Sequence, residues 1–191
     1  MSVFLERPTL SLPVSDRDHV IGPETARVTL LEYGDYECPY CGAAHPVVKD
    51  VVRAMGDDLR FAYRHFPLTQ THPHAYQAAE AAEAAGAQGR FWEMHDLLFE
   101  NQDRLSLRDV MTLATALELD LERFVTDLRS HAYAGRLRED FLSGIRSGVN
   151  GTPTFFVNAS GTTAASTGRA CWKRFAPSSE WLVPARSSRT T

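Results

Sequence analysis

Val28 to Tyr33 (VTLLEY) is the first sustained apolar run of the chain, and it lacks the polar-apolar alternation of a half-exposed strand. Such a run suits a central strand covered on both faces. Glu32 is the one charged residue inside it. From Pro39, the residues Ala43, Ala44, Val47, Val48, Val51, Val52 and Met55 recur at helical spacing until Gly56, which predicts a helix with a kink at Pro46. Leu59 to Phe66 then alternates in the strand manner, with Leu59, Phe61, Tyr63 and His65 on one face and Pro67 closing the run. Strand, helix, strand with a right-handed crossover makes the two strands parallel neighbours. Residues 74–148 read mostly as helix. His74 to Ala87 is alanine-rich, Phe91 to Glu100 turns Met94, His95 and Leu98 toward a core, Ser106 with Asp109 forms a capping-box pattern, and Asp120 can cap a further segment. A strand pattern returns at Thr154 to Val157, directly after Val149-Asn150-Gly151-Thr152-Pro153. Strands flanking a helical block imply an α/β domain with a helical insertion.

Composition narrows the function classes. The 191 residues carry 20 basic and 24 acidic side chains, a formal charge of -4, so nothing favours a nucleic-acid or anionic-membrane partner. No apolar run reaches the roughly 18–20 residues that a membrane helix needs, and the apolar start Val3-Phe4-Leu5 is too short for a secretory core. A cytoplasmic location is the expectation, with a periplasmic one only through another export route. Residues 1–27, with Pro8, Pro13 and Pro23, read as an N-terminal arm. Residues 159–191 change character: 11 of the 33 are Ser or Thr, and five basic residues face one acidic. No closing strand or helix is legible in that tail, which is what a shifted reading frame would produce; its Cys171 reads as a free thiol without a role.

Cys38-Pro39-Tyr40-Cys41 stands between the first strand and the first helix. The unpaired N–H groups and positive dipole end of a helix N-terminus stabilise an anion, drawing a thiol pKa of about 8.5 toward neutrality or below. Proline is welcome at the first helical position, and the i, i+3 spacing puts Cys41 one turn on, close enough for a disulfide. The pattern points to a dithiol that opens and closes.

The run EYGDYECPYC, the interval from Cys41 to Pro46 and the Gly151-Thr152-Pro153-Thr154 opening of the late strand resemble the thioredoxin superfamily, in its DsbA-like branch with a helical insertion. The likeness covers roughly residues 18–158. It implies a thioredoxin-like fold over residues 28–158, the insertion at about 68–148 lying between the second and third core strands. It also implies a cis Pro153 facing the cysteines, and a closing strand and helix that the sequence does not display. By the same resemblance Cys38 and Cys41 are the catalytic pair and Glu32 an acid beneath them that helps deprotonate Cys41. Pro39, Tyr40, Thr152 and Pro153 form the substrate edge. A carboxylate buried in an apolar strand has a raised pKa and can exchange a proton with a thiol. The implied activity is thiol-disulfide exchange through a mixed disulfide, with protein or small-molecule disulfides and dithiols, glutathione among them, and an unidentified redox protein as partners. No metal or organic cofactor is needed.

Other readings stand beside this one. A glutathione-dependent kappa-like transferase or isomerase has a related fold but needs only one activating group, which the intact second cysteine argues against. A non-catalytic holdase could grip extended chains beside Pro153. A zinc site at the two cysteines lacks a second ligand pair. Glu32 could instead pair with Lys49, and His45 could lie on the surface or lend a positive charge to the thiolate. His72-Pro73-His74 reads as a solvated turn, and His65 and His95 as hydrogen-bonded packing residues.

Overall fold

The structure, a computed structural model, describes residues 9–163. Cys171 and any helix after the late strand lie outside the described residues, as does most of the tail. Five strands form one mixed sheet in the order β1-β3-β2-β4-β5. They are β1 (His19–Ile21), β2 (Val28–Gly34), β3 (Leu59–His65), β4 (Thr154–Val157) and β5 (Ser160–Thr163). Strands β2 and β3 are parallel in a register that pairs Glu32 with Tyr63, joined through helix α1 (Pro39–Met55). Strand β4 returns antiparallel on the other side of β2, where Glu32 faces Phe155. The helix α1 continues through Pro46 to Met55.

Between β3 and β4 the chain runs through α2 (Ala75–Gly86), α3 (Phe91–Glu100), α4 (Leu107–Ala116), α5 (Leu121–Arg129) and α6 (Ala134–Arg146). The Ser106 side chain accepts from the Asp109 amide to open α4, and Asp120 does the same for α5 through Arg123. Successive residues of β2 serve opposite faces. Leu30 joins a core with Cys38, Cys41, Val48, Tyr63 and Phe155, while Leu31 and Tyr33 join a second one with Phe66, Val149 and Phe156. The first core fills the space between the sheet, α1 and the insertion. In α2 the fully buried Ala78, Ala81, Ala82, Ala84 and Ala85 allow its neighbours to come close.

Two segments differ from the sequence expectations. The lead-in is more than an arm: it supplies β1, and residues 11–18 are tied down by side chains. Arg64 of β3 is fully buried and donates to both Asp18 carboxylate oxygens at 2.7 and 2.9 Å, to the Leu12 and Pro13 carbonyls, and to the Tyr33 hydroxyl. Burial pushes the Asp18 carboxyl up; the Arg64 fork and the Ser15 amide outweigh it and hold the group below its ordinary range. Ser11 adds hydrogen bonds to Ser147 and the Ser143 carbonyl at the end of α6.

The second difference is β5, a closing strand that the tail's composition concealed. It forms a two-residue hairpin with β4, Val157 opposite Ser160. Asn158 and Ala159 occupy the loop with φ of 48° and 67°, the left-handed geometry whose twist suits a tight hairpin. The usual signal is Asn-Gly; here Ala159 stands where glycine would announce the turn. Asn158 makes up part of the difference, since its side-chain oxygen accepts from the Thr29 amide and its own amide donates to the Thr29 carbonyl, both at 2.9 Å.

Candidate active site

Strand β2 ends at Gly34, and four residues later Cys38 caps α1 in an extended conformation (φ -73°, ψ 120°) with Pro39 as the first helical residue. The intervening loop is braced by a carboxylate. Asp35 accepts from the Glu37 and Leu68 amides at 2.8 Å each, and its Oδ2 lies 2.7 Å from His72 Nδ1. Glu37 in turn holds the His74 amide and ring. The two histidines of the His72-Pro73-His74 turn thus face acidic partners on the loop before the cysteines.

Cys38 and Cys41 are both free thiols and both buried. The Cys38 Sγ lies 3.4 Å from the Thr152 carbonyl oxygen, and the Thr152–Pro153 peptide that follows is cis. The late strand therefore begins against the first sulfur. The Cys41 thiol, which donates to Cys38 when that sulfur is ionised, is the largest influence on it. With the Thr152 side chain and the Cys41 and Tyr40 amides it outweighs burial and draws the Cys38 pKa down to about 5. Burial, the same hydrogen bond and the Glu32 charge push Cys41 well above its ordinary value. One sulfur is an anion at neutral pH and its neighbour a protonated thiol. Tyr40, between them in sequence, is 61% exposed.

Glu32 lies on the same sheet face as Leu30 and the cysteines. It is 2% exposed, and its Oε1 has no hydrogen-bond partner among the described residues. Burial, then the negative charge of Cys38, raises its pKa to about 8. Lys49 does not pair with it: the Lys49 Nζ sits 2.6 Å from Asp96 Oδ2 and 3.6 Å from Glu100 Oε1. Nor is His45 a surface residue or a cation beside the thiolate. It is buried and stacked on Phe99 with ring centroids 4.9 Å apart, and burial lowers its pKa. His65 and His95 are buried hydrogen-bonded residues, His65 to Glu83 at 2.9 Å and His95 to the Tyr36 hydroxyl at 3.0 Å.

One residue at the site carries no sequence signal. Gln102, just past α3, donates from Nε2 to the Tyr36 and Cys38 carbonyls at 2.7 and 2.9 Å, strapping the insertion onto the first turn of α1. It fits only because residue 42 is glycine; a Cβ there would lie 1.9 Å from the Gln102 Oε1. Neither residue type points to the other across 60 positions, so only the folded chain displays the pair.

A parallel β2-α1-β3 unit, an antiparallel β4-β5 hairpin opening on a cis proline, and a helix N-terminus bearing Cys38-Pro39-Tyr40-Cys41 define a thioredoxin-like fold. The profile of the family described as Thioredoxin matches residues 14–171, and the chain belongs to that family. Solved structures with this architecture include a thioredoxin-like oxidoreductase from Silicibacter pomeroyi, 28% identical with a TM-score of 0.70 over 78% of this chain and 84% of that one. BdbD from Bacillus subtilis is 23% identical with a TM-score of 0.69 over 82% and 87%, and the thiol-disulfide exchange protein alpha-DsbA2 of Wolbachia pipientis shares the fold at 18% identity and a TM-score of 0.67 over 75% and 77%.

Curated relatives carry a different name. The chain is 52% identical over 150 residues to the Na(+)/H(+) antiporter NhaA 3 of Salinispora tropica, matching 78% of this chain and 23% of that protein. It is 46% identical over 153 residues to NhaA 1 of Mycobacterium sp. (strain KMS), matching 78% and 25%. The chain thus spans about a quarter of the length of the curated relatives it matches. Among the described residues no helix is long and apolar enough to cross a membrane.

Proposed function

We propose that the chain is a thiol-disulfide oxidoreductase in which Cys38 is the nucleophile, Cys41 the resolving thiol and Glu32 the proton acceptor for Cys41. The observation that carries this reading is the placement of two free thiols at the N-terminus of α1, with the Cys38 sulfur against the Thr152 carbonyl that precedes the cis Pro153; the opposed shifts of the two thiols, Cys38 downward and Cys41 upward, agree with it. In the reducing direction the Cys38 thiolate attacks one sulfur of a substrate disulfide. A mixed disulfide forms, and the other substrate sulfur leaves as a thiolate that takes up a proton. Forming the mixed disulfide removes the Cys38 charge, one of the two causes that hold Glu32 protonated; the Glu32 carboxylate this releases accepts the Cys41 proton, and the Cys41 thiolate attacks Cys38. The Cys38–substrate bond breaks, the second substrate thiol leaves, and two electrons have passed from the dithiol to the substrate. The oxidising direction is the reverse.

The low Cys38 pKa bears on direction. At pH 7, moving a thiol from 9.0 to about 5 favours the reduced pair by roughly 100-fold, about 2.7 kcal/mol or ~60 mV toward an oxidising potential. The exposed Tyr40 and the Thr152-Pro153 edge beside the sulfur suit an extended protein segment as substrate. The antiporter names belong to relatives about four times as long as the stretch matched, and the dithiol site supports exchange chemistry in that stretch.

Insulin-disulfide reduction and oxidation of a dithiol peptide, followed for the wild type, Cys38→Ser and Cys41→Ser, test the proposal. Cys38→Ser is expected to abolish both activities, and Cys41→Ser to accumulate a mixed disulfide visible by mass spectrometry. Activity surviving in Cys38→Ser overturns it.

A further inference from the structure

We infer that His45, His95 and Asp96 form a binding site for a divalent transition-metal ion of the zinc class, clamping α1, the helix that carries the dithiol, to α3. Two imidazoles and a carboxylate are a donor set that zinc accepts, with water completing a tetrahedral shell. One ligand atom from each residue lies within 4.8 Å of the others, and His45 Nε2 is already 3.4 Å from Asp96 Oδ1. Bonds of about 2.0 Å to a tetrahedral ion set ligand atoms roughly 3.3 Å apart, so the trio must close by up to about 1.5 Å. Asp96, a third exposed on the outer side of α3, can supply much of that movement.

Two further observations point to a ligand here. The first is an orphaned atom: His45 is 7% exposed, yet its Nε2 has no hydrogen bond among the described residues, because the nearby Asp96 oxygen does not meet it in hydrogen-bonding geometry. A buried ring nitrogen without a partner is costly and calls for an explanation. Second, the trio opens onto a cavity of about 190 Å³ floored by Val48, Val52, Phe61 and Trp92, with room for an ion and its water.

The surroundings supply orientation. His95 Nδ1 is 3.0 Å from the Tyr36 hydroxyl, the kind of partner that fixes which nitrogen of a ligating imidazole faces the ion. Lys49 holds the far oxygen of Asp96 at 2.6 Å and leaves Oδ1 to the site. Lys49 and Arg53 also place positive charge at the cavity wall, which weakens binding of a cation. The site is distinct from the two cysteines, and the exchange cycle needs no metal.

The test uses the full chain with Cys38–Cys41 closed as a disulfide and Cys171 alkylated, so that no thiolate competes. Calorimetric titration with Zn²⁺ should show one equivalent bound with a Kd of about 10 μM or tighter, and Co²⁺ should give tetrahedral visible bands without thiolate charge transfer. His45→Gln and Asp96→Asn should each weaken binding at least tenfold and remove the metal-induced rise in melting temperature. Asp96 lies at the surface, so its variant remains folded even if the buried His45 change does not. Lys49→Ala should bind at least as tightly, because it frees an Asp96 oxygen and removes a competing charge. Absence of binding, binding unchanged in Asp96→Asn, or binding lost instead in a His72→Ala/His74→Ala variant overturns the assignment.

Discussion

Replacing Glu32 by Gln should stabilise the folded protein, and by an amount that grows with pH. The buried carboxyl titrates near 8 in the folded chain, against 4.5 for a free one. Its folded pKa is raised, so its contribution to stability is complete below pH 4.5 and is lost as the pH climbs from there toward 8. Over that interval the unfolded chain ionises and the folded chain does not. At pH 7 the gap is 7 minus 4.5, or 2.5 units, and at about 1.36 kcal/mol per unit the wild type gives up about 3 kcal/mol. Glutamine keeps the shape and a polar end but cannot ionise. Urea unfolding should be run on the disulfide form, because closing Cys38–Cys41 removes the thiolate charge and leaves burial, the larger cause, acting alone; about 3 kcal/mol is then an upper figure. The two proteins should be nearly equal at pH 4.5 and diverge by about 1.4 kcal/mol per pH unit in favour of the Glu32→Gln variant up to pH 7. A difference that stays constant between pH 4.5 and 7, or a wild type more stable at pH 7, refutes the account of Glu32 as a neutral acid in the folded protein.

Iodoacetamide labelling of the reduced protein, resolved by peptide mapping, should show Cys38 reacting with a half-maximum near pH 5 and Cys41 silent below pH 9; equal reactivity of the two at pH 6 contradicts the assignment of anion and neutral thiol. Asp18→Asn should cost roughly 3–5 kcal/mol in denaturant unfolding, because it leaves the fully buried Arg64 without its counter-charge. A loss under about 1 kcal/mol would mean that the Leu12 and Pro13 carbonyls alone satisfy the guanidinium.

The elements that positioned the dithiol were legible because they are local. An unbroken apolar run, a proline-started helix and an alternating strand each carry their signal within a dozen residues, and Cys38 and Cys41 are three apart. The helices of the insertion were equally plain, with the Ser106 and Asp120 caps marking two of their starts. What the sequence hid depends on distant partners or on an exception to a local rule. Strand β1 is three residues long and is stabilised by pairing with β3, 40 to 44 positions away. Strand β5 follows a turn in which alanine takes a left-handed conformation, so the glycine signal was absent. Neither sequence reading of His45, as a surface residue or as a cation beside the thiolate, foresees its burial, because the apolar wall that covers it, Phe99 and its neighbours, comes from the insertion. Gln102 and Gly42 are each unremarkable until they meet.

The placement of Arg64 also sets where this domain can be cut. Its carboxylate and both of its carbonyl partners come from residues 12–18, ahead of the first strong apolar run. A version shortened to begin at Val28 would retain the whole dithiol site and still leave a guanidinium in the interior with only the Tyr33 hydroxyl to receive it. Grafting this domain onto another protein therefore requires a junction upstream of Leu10, whose amide already bonds the turn before β5.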